Sequence, residues 1–271
     1  MDIASIIGII AGIGFVLYGY TMDGGVISSL WMPSAVVITV GGSVGAVILA
    51  YDLKTLKKMP KLLLELFISP KSKINDTIEY LITLSQTAKQ NGLFSLEKAV
   101  MSEDPKKKID PFLKRGILNV VDGTDTEKIS ELMQNEIDVY EQNKLQAISM
   151  FDTSAALAPA FGMIGTIVGM IQMLSAGMDN PDTLTKAIGV AFITTLYGSL
   201  LANCLFQPVA TKLRTRLAEY RLEKEMIIDA VCAIRNGINP KMLREQLFSY
   251  MILSPKSKKK TEKPGKKGEI K

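Results

Sequence analysis

The residues best placed to do chemistry lie inside two apolar runs between Met150 and Pro208. FDTSAALAPAFGMIGTIVGMIQMLSAG carries Pro159 and Thr166. AIGVAFITTLYGSLLANCLFQP carries Thr194, Thr195, Tyr197, Ser199, Asn203 and Pro208. MDNPDTLTK joins them, with Asn180 and Pro181 as turn residues. Each run has about 20 apolar or small residues, the length that crosses a hydrocarbon core. Hydroxyl, amide and phenol groups at that depth, together with two prolines, point to a site or pathway on the inner face of a hairpin. Taken singly, each of these residues is better explained by helix packing, since hydroxyls are common at interfaces in lipid and Thr can bond its own backbone. Nucleophilic catalysis does not fit, because the chain has no His and no plausible base lies nearby.

Small residues must bring these groups together. Ala158, Gly162, Gly165 and Gly169 fall at i, i+4, i+7 and i+11, one helical face. Gly165 and Gly169 form a GxxxG pair, which lets a second helix come close. Thr166 stands two turns beyond Pro159, roughly above it.

The chain has 271 residues, 47% of them hydrophobic, and a net charge of +5. Its apolar residues cluster in four runs rather than spreading periodically. The first, Ile3 to Tyr20, lacks a basic start and a clean cleavage site, so it reads as a retained membrane helix rather than a signal peptide. Gly8 and Gly12 form another GxxxG pair. Trp31 marks an interface and Pro33 opens the second run, which extends to about Tyr51. Its centre, with Gly41, Gly42 and Gly45, is suited to tight packing. The two cysteines, Cys204 and Cys232, suggest neither a disulfide framework nor a metal site.

Between the second and third runs lies a soluble block. LKTLKKMPKLLLELF reads as an amphipathic helix on the membrane surface. Helical periodicity follows over Ile74–Gln90, closed by Gly92, then over Leu93–Ser102, Asp110–Val121 and from Thr124 onward, where Thr124 and Glu127 fit a capping box. That last helix has no clear stop before Pro159, and the fourth run likewise continues past Pro208 to Gly237. The alternating Arg and Glu there read as a solvated face. Asn239 and Pro240 start a last short helix. Ser254 to Lys271 holds eight Lys against two Glu and reads as a disordered basic tail that touches anionic lipid rather than nucleic acid. The fold class is therefore all-α, membrane-embedded, with four transmembrane helices and a helical cytoplasmic domain into which spans three and four extend. The segments are 1–51 (spans one and two), 52–149 (cytoplasmic domain), 150–208 (spans three and four), 209–253 (cytoplasmic helices) and 254–271 (tail). The positive-inside rule puts the large loop and both termini in the cytoplasm.

A membrane ion path usually needs an ionisable residue, and the span centres hold none. Asp152 falls near the cytoplasmic interface. An ion-driven machine built on this chain would need another chain to supply the carboxylate.

With those residues in view, APAFGMIGTIVGM and AFITTLYGSLLANCLFQP closely resemble the A subunit of the bacterial flagellar motor stator, the MotA/PomA family. AKQNGLFSLE resembles that family's rotor-facing segment, and the likeness covers nearly the whole chain. It implies a non-enzymatic homopentamer in the bacterial inner membrane, surrounding a dimer of the B subunit whose helices bear the ion-binding Asp. No cofactor is implied; the transported ion is a proton or sodium, and the many proton-using members tilt the reading to protons. By the same resemblance Pro159 and Pro208 match the two functional prolines. Thr166, Thr194 and Thr195 match hydroxyls implicated in sodium-driven members, with Tyr197 beside them on the pathway. Glu97 matches the acidic residue facing the rotor switch protein, and Lys89 stands where some members carry Arg. The rival within this fold class is an energiser of outer-membrane processes of the ExbB/TolQ kind, which has three spans.

Overall fold

The computed structural model describes residues 3–68, 74–101, 109–176 and 181–253. The basic tail and the turn at Asn180 lie outside the described residues. Ten helices and no strand are found among those described. They are α1 (Ile3–Met22), α2 (Pro33–Ala50), α3 (Leu53–Leu56), α4 (Met59–Phe67), α5 (Ile74–Asn91), α6 (Ser95–Met101), α7 (Pro111–Val121), α8 (Thr126–Ala176), α9 (Pro181–Arg235) and α10 (Pro240–Leu253). A single 3₁₀ turn, Ile27–Leu30, lies between α1 and α2. Helices α1, α2, α8 and α9 are each long and apolar enough to cross a membrane.

The chain divides into two compact units. One comprises residues 1–69 and 143–215, and the other residues 70–142 and 216–271. Helix α8 is a single 51-residue helix that contributes to both, with Pro159 inside it.

In the first unit the spans carry two wide π-helical turns that the periodicity did not reveal, Val37–Gly41 in α2 and Leu201–Phe206 in α9. The second has a local cause: Pro208 has no N–H to offer the carbonyl four residues back, and the wide turn precedes it. The surface helix expected over Leu53–Phe67 is two pieces, α3 and α4, because Pro60 cannot donate to the Leu56 carbonyl. Lys57 and Lys58 form the intervening turn, and Leu62 and Leu66 are buried. Within this chain nothing lies within 4 Å of a Cβ built at Gly41 or Gly45, while one at Gly42 would meet Phe161.

The second unit is a conventional hydrophobic core. Ile78, Leu81 and Leu84 of α5, Leu96 of α6, Phe112, Leu113 and Ile117 of α7, Ile129 and Ile137 of α8 and Met226, Ile227 and Val231 of α9 pack together. Gly92 (φ +81°) and Gly237 (φ +69°) close α5 and α9 in the left-handed region, as expected of C-terminal glycines. The capping box expected at Thr124 does not form. The Thr124 N–H donates to Asn119 O (3.1 Å) and its carbonyl accepts from Arg235 Nε (3.0 Å), so α8 starts later, with Asp125 O as its first acceptor. Asp110 caps α7, accepting from Phe112 N at 2.9 Å, and also pairs with the buried Lys224. The Lys224 ammonium lies 5.2 Å from the Phe112 ring centroid and 5.1 Å from that of Tyr220. The charged stretch of α9 is more than a solvated face, since Arg221 binds Asp138, Glu141 and Glu225 together.

Two phenols in this unit give its stability an alkaline limb. Burial, with Tyr140 and nearby carboxylates adding to it, pushes Tyr220 up to about 12. Burial and the hydrogen bond to Asp229 also push Tyr250 up. Both phenols stay protonated in the fold beyond the usual value of about 10. Above that pH the unfolded chain releases these protons first, so the native state binds more protons and its stability falls as pH rises. The melting temperature of the detergent-solubilised chain should therefore drop between about pH 10 and pH 12, and the Tyr220→Phe/Tyr250→Phe double variant should show a shallower drop. Equal slopes would show that neither phenol contributes.

Candidate functional site

The hairpin of α8 and α9 is held together by the absence of side chains. Ala158, Gly162, Gly165 and Gly169 are all buried, on the face their spacing indicated. A Cβ at Gly162 would lie 2.9 Å from Thr194 O, and one at Gly169 would lie 2.6 Å from Ala187 O. Gly198 returns the favour from α9, where a Cβ would lie 2.5 Å from Ala158 O and 3.0 Å from Pro159 Cα. Each backbone thus fills the space a side chain would occupy on the other helix, which maximises dispersion contact in lipid.

This approach brings Thr166 and Thr195 into contact. Their hydroxyl oxygens are 2.6 Å apart, and both reach the Ala191 carbonyl, Thr166 at 3.0 Å and Thr195 at 3.2 Å. Thr166 also reaches Gly162 O at 3.2 Å. Thr166 is half-buried and Thr195 is exposed, so the pair opens on an outer face of the hairpin. Around it stand exposed apolar side chains, among them Met163, Ile167 and Met170 of α8 and Phe192 of α9. The arrangement offers a cluster of neutral oxygens at the edge of an apolar surface. It can hold a cation or an ordered water but has no group to take up charge.

Thr194 is differently placed. It is fully buried and its hydroxyl is satisfied within α9 by Val190 O (2.8 Å) and Ala191 O (3.0 Å). Its carbonyl accepts a hydrogen bond from Thr39 Oγ1 of α2 at 3.3 Å. Thr39 in turn gives its carbonyl to Ser43 Oγ at 2.6 Å. Thr39 and Ser43 are buried polar residues that the sequence reading missed; their i, i+4 spacing inside an apolar run was the available signal. Tyr197 donates its phenol hydrogen to Leu30 O, away from the threonine pair. Pro159 is half-buried against Gly198. Pro208 is exposed and lines a separate cavity of about 360 Å³ with Ser5, Gly8 and Gly12 of α1 and Cys204 of α9. The structure therefore brings Thr166 and Thr195 together, sets Pro159 about two turns away against Gly198, and leaves Tyr197 and Pro208 elsewhere on α9.

Asp152, the carboxylate nearest the third span, is paired with Arg214. In the second unit Lys89 lies in the last turn of α5 and Glu97 in the first turn of α6, both exposed on either side of the Gly92 turn. Those positions also suit the helix dipoles.

Residues 6–92 match the motility protein A N-terminal family, and residues 104–226 match the MotA/TolQ/ExbB proton channel family. The chain is 38% identical to motility protein A of Treponema phagedenis, over 97% of this chain and 98% of that one. The chain belongs to the motility protein A family. It is also 31% identical to the chemotaxis protein PomA of Vibrio alginolyticus, over 93% of this chain and 96% of that one. Its structure matches one from the flagellar MotAB stator complex of Bacillus subtilis with a TM-score of 0.84 and 32% identity, covering 92% of this chain and 96% of that chain. Family membership and four membrane-length helices make it a multi-pass protein of the bacterial inner membrane. The match over residues 6–92 and the four spans favour a motility protein A over an ExbB/TolQ-type energiser.

Glycine at position 198 is required by backbone contact rather than by conformation. Gly198→Val should push α9 off Ala158 and Pro159, costing about 1–3 kcal/mol, the range for overpacking a close contact. The variant should melt lower in detergent, and a cysteine pair engineered at positions 166 and 195 should cross-link less efficiently in it. Unchanged melting and cross-linking would show that the two helices are not held by this approach.

Proposed function

We propose that this motility protein A works as the membrane-embedded A subunit of a flagellar stator, passing protons or sodium ions inward together with a B subunit and turning the flux into torque on the rotor. The observation that carries the ion-path part of this reading is the Thr166–Thr195 hydroxyl pair, open on an apolar face of the α8–α9 hairpin. The solved relatives are described as MotAB complexes, which supports a B-subunit partner whose membrane helix lies along that face. Five copies of the chain surround a dimer of that partner. The partner's Asp loads and releases the ion, and the threonine oxygens hold the ion or its water as it passes. The loop and both termini are cytoplasmic, where Lys89 and Glu97 meet the rotor switch protein through complementary charge. The basic segments lie against anionic lipid. Nucleic acid has no part in the reading, nor does a resident cofactor or a catalysed reaction.

Pro159 is assigned a mechanical role. Inside α8 it withholds the N–H that Ala155 O would otherwise accept, leaving the helix softer there. Pro159→Leu restores that donor. The variant should form a normal complex with the B subunit but should not support swimming, scored as motility in soft agar beside native mass spectrometry of the purified complex. Normal swimming would remove the mechanical role.

Thr195→Val keeps the side chain's shape and deletes the hydroxyl. The wild-type ion is read first from swimming speed against sodium concentration, with and without a protonophore. In a sodium-driven motor the variant should lose torque about tenfold or more, the scale of one lost ligand or hydrogen bond in a dry site. A proton-driven motor, which needs only the partner carboxylate and a water chain, should lose only a modest fraction. Sodium-independent torque that survives Thr195→Val unchanged would leave the hydroxyls as packing groups.

A further inference from the structure

The turn between α5 and α6 holds one large apolar side chain out in water, and the fold works to keep it there. Gly92, at φ +81°, ends α5, and its N–H returns to Ala88 O at 2.9 Å. Ser95 then closes back on the Gly92 carbonyl twice, through its N–H (3.2 Å) and through Oγ (2.6 Å). Leu93 packs against the core and Leu96 is fully buried, so the segment is pinned on both sides of residue 94. Phe94, between them, is 81% exposed, more than any other large hydrophobic residue in the second unit among the described residues. Its exposure is not a consequence of a loose loop, because the turn's hydrogen bonds and flanking leucines fix the backbone that carries it.

Phe94 stands with the two charges already assigned to the rotor face. Glu97 is three residues on, and its N–H bonds to Phe94 O at 3.3 Å, which puts the two on one side of the first turn of α6. Lys89 precedes the turn at the end of α5. A rigid aromatic rimmed by charges of opposite sign matches the anatomy of a protein-interface anchor: an apolar centre that is desolvated on binding, within a polar rim that sets orientation. Membrane insertion would instead call for a cation-rich surround, whereas here Glu97 and the amides Gln90 and Asn91 stand among Lys89 and Lys98, a mixed surround.

We infer that Phe94 is the hydrophobic anchor of the rotor contact, seating in an apolar pocket of the rotor protein whose edge offers an acidic group to Lys89 and a basic group to Glu97. This inference rests on the stator reading above. The charges steer and orient the approach, while the ring supplies the contact that withstands load. Charge reversals therefore act mainly on the rate of engagement and its salt dependence, and loss of the ring acts on how long engagement lasts.

The test uses the full chain with its B subunit, wild type against Phe94→Ala, Phe94→Leu and Glu97→Lys. The readouts are stall torque, dwell time of fluorescent stator units at the motor, native mass spectrometry of the complex and ion flux in proteoliposomes. Phe94→Ala should shorten dwell time about tenfold, the scale of a truncated interface anchor, with oligomer and ion flux unchanged. Phe94→Leu should recover part of the dwell time, and Glu97→Lys should mainly slow recruitment. Full dwell time in Phe94→Ala while Glu97→Lys is impaired would overturn the anchor but keep the rotor contact. Normal recruitment in all three variants would instead remove the rotor reading of this face. A broken oligomer in Phe94→Ala would make the residue a contact between copies of the chain. Binding of the wild-type complex to anionic-lipid vesicles that the variant loses would make it a lipid contact. Either result overturns the proposal.

Discussion

Everything on the membrane side depends on two backbones being able to touch. In hydrocarbon no hydrophobic effect drives one helix against another, so association relies on close dispersion contact and on hydrogen bonds between helices. The α8–α9 hairpin achieves this with glycines on both partners: Gly162 faces the Thr194 backbone, Gly165 the Thr194 side chain and Gly169 the Ala187 and Ala191 backbone, while Gly198 faces Ala158 and Pro159. Only at that separation can the Thr166 and Thr195 hydroxyls meet at 2.6 Å and share the Ala191 carbonyl. The same closeness leaves the Thr194 carbonyl turned toward α2, where Thr39 uses it. Replacing any of these glycines would alter the geometry of the polar groups before it altered the fold as a whole.

The second unit is built on different physics. Its core is apolar and sealed from water, and burial of apolar surface supplies its stability. Into that core it admits one ammonium, Lys224, held by Asp110 and by the faces of Phe112 and Tyr220. A buried pair of this kind adds little net stability compared with an apolar replacement, but removal of one partner strands the other. Because Asp110 also caps α7, the ion pair ties the start of that helix to α9. Arg221, three residues earlier in α9, does the same for α8 through Asp138 and Glu141.

Apolar run length and small-residue spacing made the four spans, the long α8 and the buried face of the hairpin legible in the sequence, because each is a one-dimensional signal. What was not legible depended on atoms distant in the chain. Thr124 and Glu127 have the types and spacing of a capping box, yet Arg235, 111 residues away, claims the Thr124 carbonyl and the helix starts later. Pro60 was visible, but its consequence, two short helices in place of one, required asking which carbonyl it leaves unserved. Gly41, Gly42 and Gly45 look alike in the sequence, yet within the chain only Gly42 has a neighbour, Phe161. Among the candidate site residues, spacing placed Thr166 and Pro159 on one helix. It could not say that Thr195 would meet Thr166, that Thr194 would turn inward, or that Tyr197 and Pro208 would face other surroundings. Phe94 lies between leucines that both meet the core, and nothing in that apolar pattern marks it as the one that faces water.

The arrangement of charge in the first unit bears on how work is divided between chains. A group that loads and releases a cation must be free to change its charge or its partner during the cycle. The threonine pair cannot, since hydroxyls stay neutral at any physiological pH. Asp152, the described carboxylate nearest the third span, is committed to Arg214. In the proposed stator the switching carboxylate therefore belongs to the partner helix, and this chain supplies what must not switch: a fixed oxygen cluster, a face of Met163, Ile167, Met170 and Phe192 over which an apolar helix can slide, and a proline that lets α8 yield. A surface of fixed, uncharged groups is suited to that task, because it does not change its own charge when the partner's carboxylate changes.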